Sequence, residues 1–187
     1  SYSYGNYDRS KHRLSGSWSD GCLVMAEEQP YLQYCLEAEK KILIEYTLRI
    51  SQEQRAKLAE FATTMRADSE EWFPPIVRYP DVETDDAASL IYQAIGAIFY
   101  KFNSNQFKYY FALSTNCVRF VEQALNSMGI EDPDINGIIT PGDYIDFFER
   151  KLADPNDIEV IGREVLALEE IRNKVKKTKD EKVEVSV

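Results

Sequence analysis

Residues 110–130 read YFALSTNCVRFVEQALNSMGI and carry the clearest helix signal in the chain. Apolar side chains recur at helical spacing after Cys117, and Gly129 is suited to end a helix in the left-handed conformation. The segment 107–113 is short and rich in Tyr and Phe, which is typical of a strand or another extended segment. The sequence therefore predicts a helix with Cys117 in its first turn. Its apolar positions are Phe120, Val121, Ala124, Leu125 and Met128.

Three further helices are predicted on either side of this stretch. Residues 51–54 (SQEQ) have the pattern of a capping box, and the helix they begin is expected to run to about Arg66. Residues 140–143 (TPGD) place a proline at the first helical position and an acidic residue three after the threonine, which marks another helix start. Residues 88–99 are apolar on a broad face, so they predict a well-buried helix.

Residues 1–50 are predicted to form mainly strands. The loop at 15–21 is rich in Ser and Gly and is followed by the apolar run 22–25, which together suggest a hairpin. Residues 42–50 alternate between apolar and polar side chains and form the clearest strand, with one face toward solvent. Residues 158–161 are interpreted as a closing strand.

These elements predict an α+β fold. An antiparallel sheet, drawn largely from residues 1–50 and 107–113, is expected to pack against helices that include the one at Cys117. The length of 187 residues suits one compact domain, which is assigned to residues 1–165. Residues 166–187 are dominated by Glu, Lys and Asp, and they are predicted to be a charged tail or linker.

The composition excludes some classes of function. Thirty-two acidic against 22 basic side chains give a formal net charge of −10, which disfavours binding to the phosphate backbone of nucleic acids. No run approaches the roughly 18 apolar residues that a membrane span requires. The chain begins with Ser1 rather than Met, which leaves room for further domains or a membrane anchor outside this chain.

The three cysteines, Cys22, Cys35 and Cys117, are an odd number, so at least one is expected to be a thiol or to pair outside the chain. A bridge between Cys22 and Cys35 is open but not implied. The close cysteine pairs of structural zinc sites are missing from the sequence, so no metal and no cofactor is predicted. The apolar neighbours of Cys22 and Cys35 favour packing as small hydrophobic residues.

Cys117 is the candidate for chemistry. The amino-terminal end of a helix places partial positive charge and N–H groups beside the sulfur, which stabilises a thiolate nucleophile. Asn116 or Thr115 would cap this helix, and backbone N–H groups of the same turn would hold an oxyanion if a carbonyl were attacked. The alternative is that Cys117 packs as an ordinary buried residue.

The Asn-Cys-x-x-Phe-Val motif around Cys117, followed by Thr-Pro-Gly-Asp at 140–143, resembles the cysteine motif of circularly permuted papain-like bacterial proteins. It is similar to the pattern of the NlpC-type and lecithin:retinol acyltransferase-like superfamily. The front of the chain also resembles the Lnb-type N-terminal periplasmic domains of that group. The segments that carry this second likeness are residues 3–7 (SYGNY), 21–24 (GCLV) and 46–54 (YTLRISQEQ).

This resemblance implies a permuted papain-like fold in which Cys117 is the nucleophile and a histidine on an earlier strand is the base. His12 is the one histidine in the chain, and its neighbours Asp8 to Arg13 are polar and largely cationic, which is typical of an exposed turn. In the family, the histidine tends to precede the segment that Ser3 to Tyr7 resembles. The base is therefore His12, a residue upstream of Ser1, or missing.

The leading hypothesis is a cysteine-dependent hydrolase that cleaves an amide or related acyl bond through a thioester intermediate. The resemblance implies a peptide or acyl substrate, with peptides of the bacterial cell envelope as the class, and a periplasmic or secreted location. Two alternatives remain open. One is a non-catalytic binding or scaffolding module of the same fold, and the other is an acyltransferase that uses the same cysteine.

Overall fold

A four-stranded antiparallel sheet forms the centre of the fold. The computed structural model describes residues 1–7, 18–111, 114–131, 140–154 and 159–166. The strands are β1 Tyr2–Gly5, β2 Trp18–Asp20, β3 Cys22–Met25, β4 Leu43–Leu48, β5 Ser69–Trp72, β6 Ile98–Phe102, β7 Tyr109–Phe111 and β8 Val160–Leu166. The central sheet has the strand order β1-β3-β6-β5, and each neighbouring pair is antiparallel.

Two short sheets accompany the central one. β2 pairs with β7, so that Asp20 lies opposite Tyr109, and β4 pairs with β8, so that Tyr46 lies opposite Arg163. The register of the second pair shifts between Thr47 and Leu48. Both pairs are antiparallel. The first connects the central sheet to the segment that leads to Cys117.

Helices cover both faces of the central sheet. They are α1 Glu28–Glu37, α2 Gln52–Ala67, α3 Pro75–Arg78, α4 Ala87–Ile95, α5 Cys117–Ser127 and α6 Pro141–Ala153, together with a 3₁₀ turn at Gln106–Lys108. One face of the sheet packs against α2 and α5, and the other packs against α1 and α4. Within the described ranges, none of these helices has the length and apolar content needed to cross a membrane.

The core consists of three clusters of apolar side chains. Each fully buried Phe or Leu contributes about 1.5–3 kcal/mol to folding through removal of apolar surface from water. The cluster under α2 and α5 contains Tyr4, Leu23, Tyr100, Phe102, Phe107 and Phe120. The cluster under α1 and α4 contains Val24, Tyr34, Ala88, Ile91, Ala97 and Phe99. The third joins α5 to α6 through Val118, Leu125, Met128, Ile130, Tyr144 and Phe147.

The helix starts predicted from capping patterns are confirmed. The Ser51 hydroxyl accepts a hydrogen bond from the Gln54 amide (3.1 Å), and the Gln54 side chain accepts one from the Ser51 amide (2.9 Å). At the start of α6, the Asp143 carboxylate accepts hydrogen bonds from the Thr140 amide (2.6 Å) and hydroxyl (2.8 Å). These contacts satisfy groups that a helix terminus otherwise leaves without partners.

The α+β class is confirmed, but the predicted source of the sheet is partly wrong. Residues 28–37 form a helix, although residues 1–50 were expected to be mainly strands. The predicted helix at 88–99 ends at Ile95, because Gly96 adopts the left-handed conformation (φ +66°), and the chain then enters β6. The segment 107–111 contributes a 3₁₀ turn and β7 to a small sheet rather than to the central one.

The strands predicted nearer the ends of the chain are present with other bounds. The predicted strand at 42–50 is observed as β4, but Ile42 is 83% exposed and lies outside it. The predicted closing strand at 158–161 is observed as β8, which extends to Leu166. The loop predicted at 15–21 is wrong at residues 18–20, which form β2 because β7 offers them a pairing partner. Residues 15–17 of that loop, His12 and the charged tail from 167 onward lie outside the described residues.

Candidate functional site

Cys117 is the first residue of α5, and its side chain is exposed to solvent. Cys22 and Cys35 are 0% and 4% exposed, which confirms the interpretation of these two as packed core residues. All three cysteines are free thiols, so Cys22 and Cys35 are not bridged. Of the three thiols, Cys117 is the one that a molecule from solution can reach.

Asn116 caps the helix that begins at Cys117. Its side-chain oxygen accepts a hydrogen bond from the Arg119 amide (3.0 Å), and the residue is only 7% exposed. Thr115, the other candidate, pairs through its backbone with Phe111 in both directions, at 2.9 and 3.1 Å. Thr115 therefore fixes the turn before the helix, while Asn116 supplies the cap.

The far end of α5 is also closed by specific hydrogen bonds. Gly129 is in the left-handed conformation (φ +76°), as predicted, and its amide donates to the Asn126 carbonyl (2.9 Å). The Ile130 amide donates to the Leu125 carbonyl (3.1 Å), which completes a Schellman motif. With both ends capped and one face in the core, α5 holds Cys117 in a defined position.

An apolar groove lies beside the Cys117 sulfur. Its volume is about 270 Å³, and it lies between the first turns of α5, the apolar face of α6 and β4. A groove of this chemistry receives an apolar group and excludes water from it. The lining residues are Tyr46, Cys117, Val118, Val121, Pro141, Tyr144, Ile145 and Phe148.

A polar cluster borders this groove at Tyr46. The Tyr46 ring stacks on Phe148 with centroids 4.9 Å apart, and its hydroxyl donates to the Glu149 carboxylate (2.7 Å). Arg163 of β8 forms an ion pair with the same carboxylate (2.6 Å). Burial, followed by the hydrogen bond to Glu149, raises the pKa of Tyr46. The hydroxyl is therefore a neutral hydrogen-bond donor at the edge of an otherwise apolar groove.

Two tyrosines face Cys117 closely enough to interact with its charge. Burial is the main cause that raises the pKa of Tyr110, and a negative charge on the Cys117 sulfur raises it further. Burial likewise raises the pKa of Tyr4, with a smaller effect from Cys117. Both phenols therefore stay protonated at neutral pH, and neither is suited to take a proton from the thiol.

The structure does not place His12, because residues 8–17 lie outside the described ranges. Since the chain has one histidine, no imidazole accompanies Cys117 among the residues that are described. In the same residues, no group of His, Cys, Asp and Glu side chains is arranged to hold a metal ion.

Sequence reasoning missed the groove. The sequence predicts the start of α6, but nothing local indicates that Tyr144, Ile145 and Phe148 line a groove with α5. The partner of a helix face depends on tertiary packing, which the helical repeat does not specify. The contribution of Tyr46 was missed for the same reason, because β4 reaches the groove through its pairing with β8.

No family model, no curated protein and no solved structure matches this chain. The likeness to permuted papain-like proteins, drawn from the motif around Cys117, therefore stays a prediction.

The cap at Asn116 has a measurable effect on stability and on the thiol. Asn116→Ala is expected to cost about 1 kcal/mol of unfolding free energy, because the Arg119 amide loses its acceptor. The same change is expected to slow alkylation of Cys117 by iodoacetamide, since the first turn of α5 loses its anchor. Urea denaturation and mass spectrometry of the alkylated chain measure the two effects.

Ser51→Ala is the matched control for Asn116→Ala. It removes an equivalent cap from α2, which meets α5 at the end opposite Cys117, where the Gln54 side chain donates to the Met128 carbonyl (3.3 Å), and it is expected to lower stability by a similar amount. Alkylation of Cys117 should then proceed at the wild-type rate. Equal slowing in both variants would show that the cap at Asn116 has no particular effect on the thiol.

Proposed function

We propose that this protein is a cysteine-dependent hydrolase that cleaves an amide or related acyl bond through a thioester on Cys117. The observation that carries the proposal is the exposed Cys117 thiol, which begins a capped helix and forms part of the wall of an apolar groove. A nucleophile and a binding surface for an apolar group are thus adjacent. This combination suits acyl transfer better than packing, because a structural cysteine gains nothing from exposure.

The reaction proceeds in two steps. The Cys117 thiolate attacks the carbonyl carbon, and the carbonyl electron pair moves to oxygen, where N–H groups of the first turn of α5 stabilise the charge. Collapse of this intermediate breaks the bond to the leaving amine or alcohol, which takes up a proton, and leaves a thioester. Water then attacks the thioester, and the products are a carboxylic acid and the regenerated thiol.

The resemblance to permuted papain-like proteins implies a histidine as the base, and His12, the one histidine of this sequence, is the proposed candidate. It would accept the thiol proton and deliver it to the leaving group. His12→Ala is then expected to lose turnover while Cys117 can still be alkylated. Full turnover in this variant would remove His12 from the mechanism.

The groove favours substrates with an apolar group beside the scissile bond. Tyr144, Ile145 and Phe148 offer only carbon surface and aromatic rings, apart from the Tyr144 hydroxyl. The cysteine motif further suggests a peptide of the bacterial cell envelope as substrate, in the periplasm or outside the cell. A non-catalytic binding module is the second candidate, because the groove would receive an apolar group whether or not Cys117 reacts.

The test combines thiol reactivity with trapping of the thioester. At pH 7, iodoacetamide is expected to modify Cys117 about two- to fivefold faster than a small free thiol, because the N–H groups at the start of α5 lie beside the attacking sulfur and are worth about 0.3–1 kcal/mol. Incubation with p-nitrophenyl butyrate should add one butyryl group to the tryptic peptide that contains Cys117. Cys22 and Cys35 are internal controls, because both are buried and should stay unmodified.

The outcomes separate the candidate functions. Alkylation no faster than that of the small thiol, together with no acyl adduct, would contradict the hydrolase and favour the binding module. An adduct that is released by added primary amines faster than by water would favour the acyltransferase. An adduct that is released by water, with turnover, supports the hydrolase.

A further inference from the structure

Tyr4 of β1 connects the central sheet to the start of α5. The residue is 2% exposed, and its ring contacts Phe107, Tyr110 and Phe120 at centroid distances of 5.1, 5.9 and 5.5 Å. Phe120 lies one turn after Cys117 in α5, and its ring is stacked with that of Tyr4. A phenylalanine would make the same ring contacts, so the packing does not account for the hydroxyl.

The Tyr4 hydroxyl points at three backbone carbonyls of the segment that leads to Cys117. Its oxygen lies 3.1 Å from the Phe107 carbonyl, 3.3 Å from that of Thr115 and 3.4 Å from that of Tyr109. A hydroxyl has one proton, so it donates to one of these carbonyls at a time. Because burial raises the pKa of Tyr4 well above its ordinary value, the proton stays in place at any physiological pH.

These contacts span the whole approach to the helix. Phe107 lies at its beginning in the 3₁₀ turn, and Thr115 lies at its end, one residue before the Asn116 cap. Lys108, between them, accepts a hydrogen bond from the Gly21 amide (2.8 Å), so the same segment is tied to the residue before β3 as well. The Tyr4 hydroxyl, on the edge strand of the sheet, is thus within hydrogen-bond distance of both ends of the segment. The Asn105 side chain gives a second anchor at the beginning, because it accepts a hydrogen bond from the Phe107 amide (2.8 Å).

We propose that Tyr4 is a positioning residue for Cys117. Its hydroxyl donates to the carbonyl of either Phe107 or Thr115, and by keeping both within its reach it sets the place of the Asn116 cap and of Cys117 at the groove. The inference rests on the proposed function, since positioning of the thiol has a consequence only if the thiol reacts. Tyr4 does not touch the substrate and takes no part in proton transfer.

Tyr4→Phe tests this role, with Tyr7→Phe as the matched control. The Tyr7 hydroxyl is also hydrogen-bonded, in a partly buried network with Ser3 (2.9 Å) and Tyr31 (3.4 Å), but its ring packs in the cluster on the opposite face of the sheet from α5. Both variants lose one hydroxyl from the interior and are expected to lower the melting temperature by similar amounts. Tyr4→Phe alone should slow alkylation of Cys117 at pH 7, by about fivefold if one hydrogen bond is lost.

In turnover of p-nitrophenyl butyrate, Tyr4→Phe should lower kcat and leave KM unchanged, because the groove keeps its walls. A Tyr4→Phe protein whose Cys117 reacts at the wild-type rate would overturn the proposal. Equal slowing in Tyr4→Phe and Tyr7→Phe would also overturn it, since the effect would then follow stability alone. If wild type shows no turnover but Tyr4→Phe still slows alkylation, the hydrolase proposal fails and the positioning role stands.

Hydrogen exchange of the wild-type protein keeps the proposal testable if Tyr4→Phe does not fold. The amides of Phe111 and Thr115 close the turn before α5, and the amides of β1 and β3 belong to the sheet. If Tyr4 couples the turn before α5 to the sheet, the amides of both should exchange in one opening event. Their exchange rates should then depend on denaturant in the same way. Exchange of Phe111 and Thr115 far earlier than the strands would contradict the tie.

Discussion

Cys117→Ala is expected to abolish hydrolysis of acyl substrates and to leave the fold intact. The side chain is exposed, and alanine favours the helix, so the unfolding free energy should change by no more than about 0.5 kcal/mol. Loss of the nucleophile removes the thioester route entirely, and the rate with p-nitrophenyl butyrate is expected to fall by at least about 10³-fold. Steady-state kinetics and the thermal melting curve measure the two quantities.

Cys35→Ala is the control for loss of a thiol in general. Cys35 is buried in α1, on the side of the sheet away from α5, so its replacement should lower stability and leave turnover of the folded protein unchanged. Burial is also the main cause that raises the pKa of Cys35, which makes this thiol inert. A Cys117→Ala protein with wild-type turnover would contradict the hydrolase and leave the groove as a binding surface.

The groove gives this prediction a second readout. In Cys117→Ala the walls formed by α6 and β4 are unchanged, so an apolar fluorescent probe should bind as it does in wild type. Val121 lies on the exposed side of the groove, and Val121→Asp would place a charge where apolar groups are expected. Retained binding with lost turnover separates the nucleophile from the binding surface.

The parts of the fold that the sequence specifies locally were predictable. The capping box at Ser51, the helix start at Thr140 and the left-handed Gly129 all depend on residues within four positions of one another. The helix that begins at Cys117 belongs to the same group, because its cap and its apolar stripe are both contained in one short stretch. Capping hydrogen bonds of this kind join residues close in sequence, so they depend little on the tertiary structure around the helix.

The parts that depend on partners distant in sequence were not predictable. β6 begins two residues after Gly96, and its apolar residues continue the helical spacing of α4, so only the left-handed glycine distinguishes the two elements. β5 has the sequence SEEW, which is too short and too polar to indicate a strand, and it exists because β6 offers it an edge. α1 has Pro30 in its first turn, a position where a helix tolerates proline. This proline was a local sign of a helix start in a region that was expected to form strands.

The candidate site also has one part that local sequence specifies and one part that depends on tertiary packing. The thiol at a helix terminus follows from residues 114–129, whereas the groove beside it follows from the packing of α5, α6 and β4. Helical periodicity shows which face of a helix is apolar, but it does not show which other element packs against that face. Prediction from sequence therefore located the thiol at the start of α5 and did not locate the groove beside it.

Gly21→Ala is expected to have the largest effect on stability of any single change considered. Gly21 lies immediately before β3, and a Cβ at this position would lie 2.0 Å from the Phe107 carbonyl oxygen and 2.5 Å from the Tyr4 hydroxyl. The first of these atoms belongs to the backbone, so it cannot rotate away. The backbone must therefore shift, which strains the hydrogen bond from the Gly21 amide to the Lys108 carbonyl and the contact between Tyr4 and Phe107.

Overpacking of this severity, with two strained hydrogen bonds, is expected to cost about 4 kcal/mol. For a domain of this size such a loss lowers the melting temperature by roughly 10 °C or more. Gly142→Ala is the matched control, because the nearest atom to its added Cβ is the Thr140 hydroxyl at 3.5 Å, an ordinary contact. Since Gly142 lies in the first turn of α6, alanine there should be neutral or stabilising by about 0.5 kcal/mol.

Thermal and urea denaturation measure the stability of both variants. The same change from glycine to alanine is expected to lower stability at Gly21 and to leave it unchanged or raise it slightly at Gly142. A Gly21→Ala protein as stable as wild type would mean that the Phe107 carbonyl is not held against the start of β3. The tight approach of residues 107–111 to the sheet, on which the placement of Cys117 depends, would then be wrong. Destabilisation confined to Gly21→Ala would instead show that a methyl group between the sheet and this segment is enough to separate them.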